Sequence, residues 1–365
     1  MAAELTLGAE EELHLLDLER WQLAAQAPQL LATLPVTGYS AEIQRSTVET
    51  NTPVVRSLDA LRDELVRLRR GAQEVAAAAG LGIAAVGSAP GSVAADFELT
   101  GTRRYERMQD QYRLLVDEQL ICGLQVHVGV ADRDLAVEIL QRVAPHLPVL
   151  LALSASSPFW NGVDTGYASV RTLVWQRWPS AGPTGPLGSA AEYDALVDDL
   201  IASGVVSDRK MAYFEVRPSS HAPTLELRVC DACPLVDDAV LIAGLFRALV
   251  RAAEQDVEAG LPRVDRALPL HRAATWQAAR SGLAGALLEP FPSPRAVPAA
   301  EAVRSLVVRL RPALDELGDR EQVEDLAEAA LARGGSAERQ RRAFARRGDL
   351  RDVARLVVAE TQGEA

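Results

Sequence analysis

Three short segments of this chain bring charged and amide side chains together at spacings of two. In Gly8-Ala9-Glu10-Glu11-Glu12, a strand would point Glu10 and Glu12 to one face, because strand side chains alternate. Close like charges on one face are costly unless cations lie between them, so the pair reads either as a metal site or as a solvated face. A second group comprises Glu42 and Gln44, then Glu49 within Val48-Glu49-Thr50-Asn51-Thr52-Pro53. Glu49 lies seven residues from Glu42, so pointing both inward requires a bulge or turn between them. In the third group, Thr224-Leu225-Glu226-Leu227-Arg228, leucines alternate with a carboxylate and an arginine, and Phe214-Glu215-Val216-Arg217 repeats the design. One reading is cross-strand ion pairing, worth about 1 kcal/mol or less when exposed. The other is the floor of a site with two guanidinium groups and up to two carboxylates. Gln125, His127 and Gly129 also share a strand face, although a lone histidine is more often structural than a ligand. An oxygen-rich face of this kind suits Mg²⁺ or Mn²⁺ better than zinc. Several such ions would hold a polyphosphate, with arginines neutralising the charge that develops on transfer.

The elements that must position these residues follow from periodicity. Leu5, Leu7, Ala9, Leu13 and Leu15 alternate against Glu10, Glu12 and His14, which predicts an amino-terminal strand. Ser57 reads as a helix cap, followed by Leu58, Leu61, Leu65, Leu68, Ala72 and Val75 at helical spacing. Gly80 ends that helix, and residues 82–87 read as a short buried strand. One helix is expected over 103–120, a strand over 123–130 and a helix over 132–143. Residues 156–188, rich in glycine and proline, read as a long functional loop, with 182–188 as a mobile lid or substrate loop. Strands at 213–217 and 225–229 form a hairpin, followed by helices at 237–259, 300–317, 319–333 and 336–360, the last broken at Gly348. The four prolines between 289 and 298 mark the expected boundary between a catalytic core, 1–290, and a helical segment packed on it, 291–365. Strands flanked by runs of helices indicate an α+β fold with an antiparallel sheet.

Composition narrows the chemistry. The 365 residues carry 38 basic and 50 acidic side chains, a net charge of −12, so nucleic acid is a poor partner. Lys210 is the only lysine, and no phosphate-loop motif or kinase glycine loop surrounds it. Nucleotide phosphates would therefore fall to arginines and metal ions. Cys122, Cys230 and Cys233 cannot all pair, which fits a reducing cytoplasm. The CxxC of Cys230 and Cys233 lacks a second half at zinc spacing and reads as two small buried thiols at a strand end. Apolar runs such as 149–153 are too short to span a bilayer, and no signal-like segment opens the chain, so neither membrane residence nor secretion is expected. The arginines between 339 and 347 read as the solvated face of a helix.

In colinear order the motifs resemble the bacterial carboxylate–amine ligase family, also called glutamate–cysteine ligase type 2 (YbdK-like). The resemblance rests on Gly8 to Leu13, Glu49 to Pro53, Cys122 to Gly129, Ser154 to Arg171, Arg217 to Asp231 and Trp276 to Leu283. The tail at Ala337 to Arg341 and Gly348-Asp349 extends it. It implies a glutamine-synthetase-like fold, a curved, mainly antiparallel sheet with helices on its outer face and ATP with magnesium on its concave face. It also implies amide formation through an acyl phosphate, from a small carboxylate such as glutamate and an amine, with release of ADP and phosphate. By position, Glu10, Glu12, Glu42, Glu49 and Glu226 would ligate metal. Arg228 would face the transferring phosphoryl group, and Arg171 and Arg217 would contact phosphate or a substrate carboxylate. His127, with Gln125, would complete a metal or nucleotide shell. A homodimer is the expected assembly.

Two positions depart from the family pattern. Gln125 stands where the first histidine of H-V-H is usual, and Ala89 replaces the histidine of a G-x-H-P element. Either change could retune the substrate pocket or weaken catalysis. A catalytically weakened nucleotide-binding homologue and a phosphotransferase of the same fold therefore stand beside the ligase reading.

Overall fold

A computed structural model describes residues 5–264, 267–289 and 294–364 of the chain. In chain order the strands are β1 (Leu7–Asp17), β2 (Tyr39–Ala41), β3 (Thr47–Asn51), β4 (Leu81–Ala84), β5 (Gly123–Gly129), β6 (Phe159–Trp160), β7 (Val163–Asp164), β8 (Val216–Pro218), β9 (Thr224–Asp231), β10 (Ala286–Glu289) and β11 (Arg295–Pro298). The helices before the last long strand are α1 (Ala27–Leu31), α2 (Leu58–Ala78), α3 (Arg103–Tyr112), α4 (Leu114–Asp117), α5 (Arg133–Val143), α6 (Leu147–Ser154), α7 (Val170–Trp175) and α8 (Ala190–Ala202). After it come α9 (Val236–Glu258), α10 (Leu268–Ser281), α11 (Ala299–Leu317), α12 (Arg320–Arg333), α13 (Ser336–Ala345) and α14 (Leu350–Gln362).

The main sheet runs β2-β3-β1-β5-β9-β8, with β4 also paired to β1, and every pairing is antiparallel. This is the α+β, antiparallel arrangement that the strand and helix patterns predict. Leu7 and Ala9 of β1, Leu124, Val126 and Val128 of β5, and Leu225 and Leu227 of β9 pack on the helical side, against α2, α5, α6 and the almost wholly buried α9. The intervening residues of the same strands point to the opposite face. Ser57 caps α2 by accepting from Ala60 N at 3.2 Å, and Leu58, Leu61, Leu65, Leu68, Ala72 and Ala76 form its buried stripe. Helices α11 and α12 lie on α9 and contribute Val303, Leu310, Leu314 and Val323 to the same core.

Several boundaries differ from the periodicity. The helix expected over 103–120 is broken at Arg113, whose φ of 49° ends α3 and reorients the chain into α4. The expected loop 156–188 contains the β6–β7 hairpin and α7, which Ser169 caps by accepting from Thr172 N. Helices α8 and α10 were not anticipated, nor was the β10–β11 hairpin, which occupies the described part of the proline-rich boundary. Pro290 and Pro292 lie outside the described residues. Residues Arg133–Ser154 are long and apolar enough by composition to cross a membrane. They form α5, a 3-10 turn and α6 in succession, and most of the run is buried in the protein core. Cys122, Cys230 and Cys233 are all free and buried, with Cys230 at the end of β9 as expected of structural thiols.

His14 of β1 is fully buried, and neither ring nitrogen has a hydrogen-bond partner among the described residues. Burial alone pushes its pKa down to about 3 from 6.5. The folded chain therefore resists protonating a group that the unfolded chain protonates near 6.5. Its contribution is present above that value and lost as pH falls towards 3. At pH 4.5 the loss from this residue reaches roughly 3 kcal/mol. We expect His14→Leu to retain more of its neutral-pH melting temperature at pH 4.5 than the parent chain does. Parallel acid-side melting curves for the two proteins would contradict this origin.

Candidate active site

The sheet register aligns the polar residues in rows across the face opposite α2 and α9. Glu49 of β3 is opposite Glu12 of β1; Asn51, Glu10 and Gln125 form the next row; His127, Glu226 and Arg217 form another. Gln125 sits where the β5–β9 pairing slips by one residue, between Leu124↔Cys230 and Val126↔Leu227. This bulge lets Arg228 keep the site face while Val229 and Cys230 both enter the core. The predicted turn between Glu42 and Glu49 is also present. It separates β2 from β3 and returns Glu42 to the side of Glu49 and Glu12.

These residues open on one cavity of about 480 Å³. Glu10, Glu12, Glu42, Glu49, Gln125, Arg171, Arg217, Glu226 and Arg228 all line it. His127 is set just behind, 3.4 Å from Glu10 through Nε2, while its Nδ1 lies 2.9 Å from Thr224 Oγ1. Two clusters have potential ligand atoms within 4.8 Å of one another: Glu10, His127 and Glu226, and separately Glu12, Glu42 and Glu49. The remaining walls were not legible from the strands. Helix α3 brings Arg104, Tyr105 and Met108, α7 brings Trp175, and the segments around them add Trp178, Lys210 and Tyr213.

The two clusters differ electrostatically. Burial pushes Glu12, Glu42 and Glu49 above the usual carboxylate value; the charge of Glu49 adds to the shift of Glu12, those of Glu49 and Glu12 to the shift of Glu42, and that of Glu10 to the shift of Glu49. Burial also pushes Glu10 up, but the hydrogen bond and charge of His127 outweigh it and leave Glu10 low. Glu226, 1% exposed, is the extreme case: Arg228 and Arg217 overcome its desolvation and hold it far below the ordinary range. Arg217 donates to Glu226 from Nε at 2.8 Å and Nη2 at 3.1 Å, and from Nη1 to the Lys210 and Ala212 carbonyls. Arg228 also donates to Glu226, leaving its own Nε without a partner. Glu226 in turn holds Arg228 firmly protonated against the cost of its burial.

Arg171 reaches the cavity wall from α7. It donates to the carbonyls of Val229 and Arg228 and lies 3.9 Å from Asp231, while its Nε has no partner. Asp231, fully buried, accepts from Ser156 N at 3.0 Å and from the Ser157 and Ser169 hydroxyls at 2.7 Å each. It therefore ties the loop before α7 to the end of β9. Sequence reasoning quoted Asp231 within a motif but gave it no role. Gly123 is equally necessary, because a Cβ there would lie 2.3 Å from Arg171 Nη2. The same glycine donates its N–H to Glu12 at 2.5 Å.

One expectation needs correction, and two other positions fall outside the cavity lining. Glu215 does not join the site floor, because β8 begins only at Val216 and the carboxylate turns to His271 of α10, 2.5 Å away. Ala89 lies in an apolar cluster with Leu16, Val357 and Val358, away from the cavity lining. Its replacement of a family histidine therefore leaves the cavity wall unchanged, whereas Gln125 does line it and donates to Glu12 at 3.3 Å. The loop 182–188 contributes no lining residue to this cavity.

Comparison with known proteins agrees with this architecture. The chain matches the glutamate–cysteine ligase family 2 over residues 6–356. A Rhodococcus jostii relative, provisionally named glutamate–cysteine ligase 2-3, is 54% identical over 98% of this chain. A Mycolicibacterium smegmatis relative, provisionally named glutamate–cysteine ligase 2-2, is also 54% identical, over 98% of this chain and 90% of its own length. The chain spans only 45% of the Rhodococcus relative and 42% of a similar protein from Frankia alni. Among solved structures, a glutamate–cysteine ligase from Francisella tularensis in complex with AMP superposes with a TM-score of 0.71 at 13% identity, covering 98% of this chain and 89% of that one. A bifunctional glutathione synthetase from Pasteurella multocida gives 0.67 at 16% identity, covering 99% of this chain and 52% of that one. At such identities the two structures establish the fold alone. The family match across most of the chain, with a relative 54% identical over nearly the whole of both sequences, shows that this chain belongs to glutamate–cysteine ligase family 2.

Proposed function

We propose that the chain is an ATP-dependent carboxylate–amine ligase, with 1–290 as its catalytic core and 291–365 as a helical buttress. The observation that carries this reading is the convergence of two carboxylate clusters and the arginines 171 and 228 on one cavity. Family membership and the AMP held by the Francisella ligase support the nucleotide. In the reaction, a substrate carboxylate such as that of glutamate takes the terminal phosphoryl group of ATP, giving an acyl phosphate and ADP. An amine then attacks the acyl carbon, the C–O bond to phosphate breaks, and the amide and phosphate leave as the amine loses a proton.

The donor set fits hard divalent cations. It is built of carboxylate oxygens with one imidazole, and the half-buried carboxylates of Glu12, Glu42 and Glu49 lie close together with their proton affinities raised, as a cation site requires. Glu12, Glu42 and Glu49 would hold one Mg²⁺ or Mn²⁺, and Glu10, His127 and Glu226 another. Bound there, the ions would supply Lewis-acid neutralisation of polyphosphate oxygens. The chain's own part is electrostatic positioning. Arg228, kept protonated by Glu226, lines the cavity and would present its guanidinium to charge developing on the phosphoryl oxygens. Arg171 adds a second guanidinium to the same wall. Arg217, whose Nε, Nη1 and Nη2 are already engaged, orients Glu226.

The deciding experiment measures ADP release by the purified protein with Mg-ATP across a panel of carboxylates and amines, with products read by mass spectrometry. ADP formation that needs both an acid and an amine, with the amide detected, supports the ligase. Phosphorylated acid accumulating without an amide would favour a phosphotransferase instead. Nucleotide that fails to bind would retire the enzyme reading.

Gly123→Ala tests the placement of Arg171. The added methyl must displace a buried guanidinium, which costs roughly 1–3 kcal/mol of stability. Turnover is expected to fall about tenfold as Arg171 leaves the wall, consistent with small misplacements of binding groups. A variant with unchanged kinetics would show that Arg171 does no work at the site.

A further inference from the structure

Behind β8, a second cavity of about 300 Å³ shares no lining residue with the carboxylate cavity. Its walls are mainly apolar, formed by Leu140, Leu147, Val216 and Leu268 together with residues 183–186 of the glycine- and proline-rich loop. The proposed chemistry leaves this loop without a role. The cavity's charged element is a buried pair, Glu215 at 2% and His271 at 4% exposure, joined at 2.5 Å. Besides His271, the Glu215 carboxylate receives only a long contact of 3.5 Å from Thr275 Oγ1. Among the described residues, no arginine or lysine lines the cavity.

We infer that this cavity is a second small-molecule site that takes a compact primary amine with an apolar body. A buried carboxylate has more acceptor positions than one imidazole fills, so it favours a donor head group, and a cationic one most. An anionic head would meet the Glu215 carboxylate at close range and is disfavoured relative to an amine. The apolar walls bury the ligand's body, and the volume lies at the small end of the range for ligand pockets. Glu215 is also tied into the main chain on both sides. Its N–H donates to the Gly182 carbonyl at 3.0 Å, and its carbonyl accepts from Arg228 N at 2.9 Å. The site is thereby backed onto the strand that carries Arg228, yet it is separate from the ligase reaction and does not depend on it.

The test is isothermal titration calorimetry of the whole chain with phenethylamine, 2-phenylethanol and phenylacetate. Saturable binding of phenethylamine is expected, weaker by roughly tenfold for the alcohol, which forfeits a charge-assisted hydrogen bond, and absent for phenylacetate. Glu215→Gln should weaken amine binding by a similar factor. Ala144→Phe, at the half-buried rim, should block the cavity without touching the Glu215–His271 contact. Glu42→Gln, in the carboxylate cavity, should leave the binding unchanged. No saturable heat with phenethylamine would overturn the proposal. So would equal affinity for phenylacetate, amine binding that survives Ala144→Phe intact, or amine binding that disappears in Glu42→Gln.

Discussion

Glu226→Gln is expected to lower Mg²⁺-dependent ADP release in the presence of acid and amine by roughly 10²–10³-fold, the scale of losing one preorganised charge contact. The physical reason is that one carboxylate meets four neighbours. Its oxygens lie beside those of Glu10 and the His127 ring, and both Arg217 and Arg228 donate to them. An amide of the same size keeps one acceptor oxygen but turns an NH₂ group towards guanidinium donors. Arg228 then loses the counter-charge that keeps it in register. Because a broken buried ion pair can also destabilise, melting temperature and circular dichroism must accompany the kinetics. Glu10→Gln, at a more exposed member of the same cluster, gives an independent check with a smaller structural cost. Unchanged Mg²⁺-dependent turnover in folded Glu226→Gln would refute the site assignment.

The second large effect lies on the other face of the same sheet. Arg69→Met is expected to destabilise the fold by about 3–5 kcal/mol, as expected for removing one partner of a buried pair. Arg69 of α2 donates to Glu11 from Nε at 3.0 Å and Nη2 at 2.5 Å, and both side chains are essentially inaccessible. It also donates to the carbonyls of Cys233 and Pro234 at 2.6 Å, linking β1, α2 and the start of α9. Methionine matches the apolar stem but strands the Glu11 charge and two carbonyls. The melting temperature should fall by roughly 5 °C. The double variant with Glu11→Leu should recover part of the loss, because it removes the orphaned charge. A single Arg69→Met variant within about 1 kcal/mol of the parent would show that water reaches Glu11.

Strand parity was legible from residue types alone. Alternation predicts that Glu10 and Glu12 share a face, as do Gln125 with His127 and Glu226 with Arg228, and the structure places each pair so. The same parity put Glu11 opposite them, but nothing local identified Arg69, 58 residues away, as its partner. Helical spacing and the Ser57 cap likewise located α2, because those signals act within a few residues. Local reasoning failed wherever a distant contact overrode it. Glu215 was read as a member of the floor by alternation, yet β8 starts one residue later and the carboxylate turns to α10. Arg113 interrupts an otherwise helical pattern with a positive φ.

The sequence by itself determined the chemistry that one face of the sheet could offer: acidic oxygens, an imidazole, arginines and no lysine except Lys210. It did so because a strand repeats every two residues and side-chain type is written directly in the chain. Only the tertiary structure decided which groups meet. The order β3-β1-β5-β9-β8 sets five segments side by side, the turn before β3 returns Glu42 to Glu49, and the bulge at β9 separates Arg228 from Val229. Asp231 and Gly123 then fix where Arg171 can lie. These are pairings between residues tens to hundreds of positions apart. They are selected by the burial of the helical face and the satisfaction of buried polar groups over the whole molecule, which no short window of sequence contains.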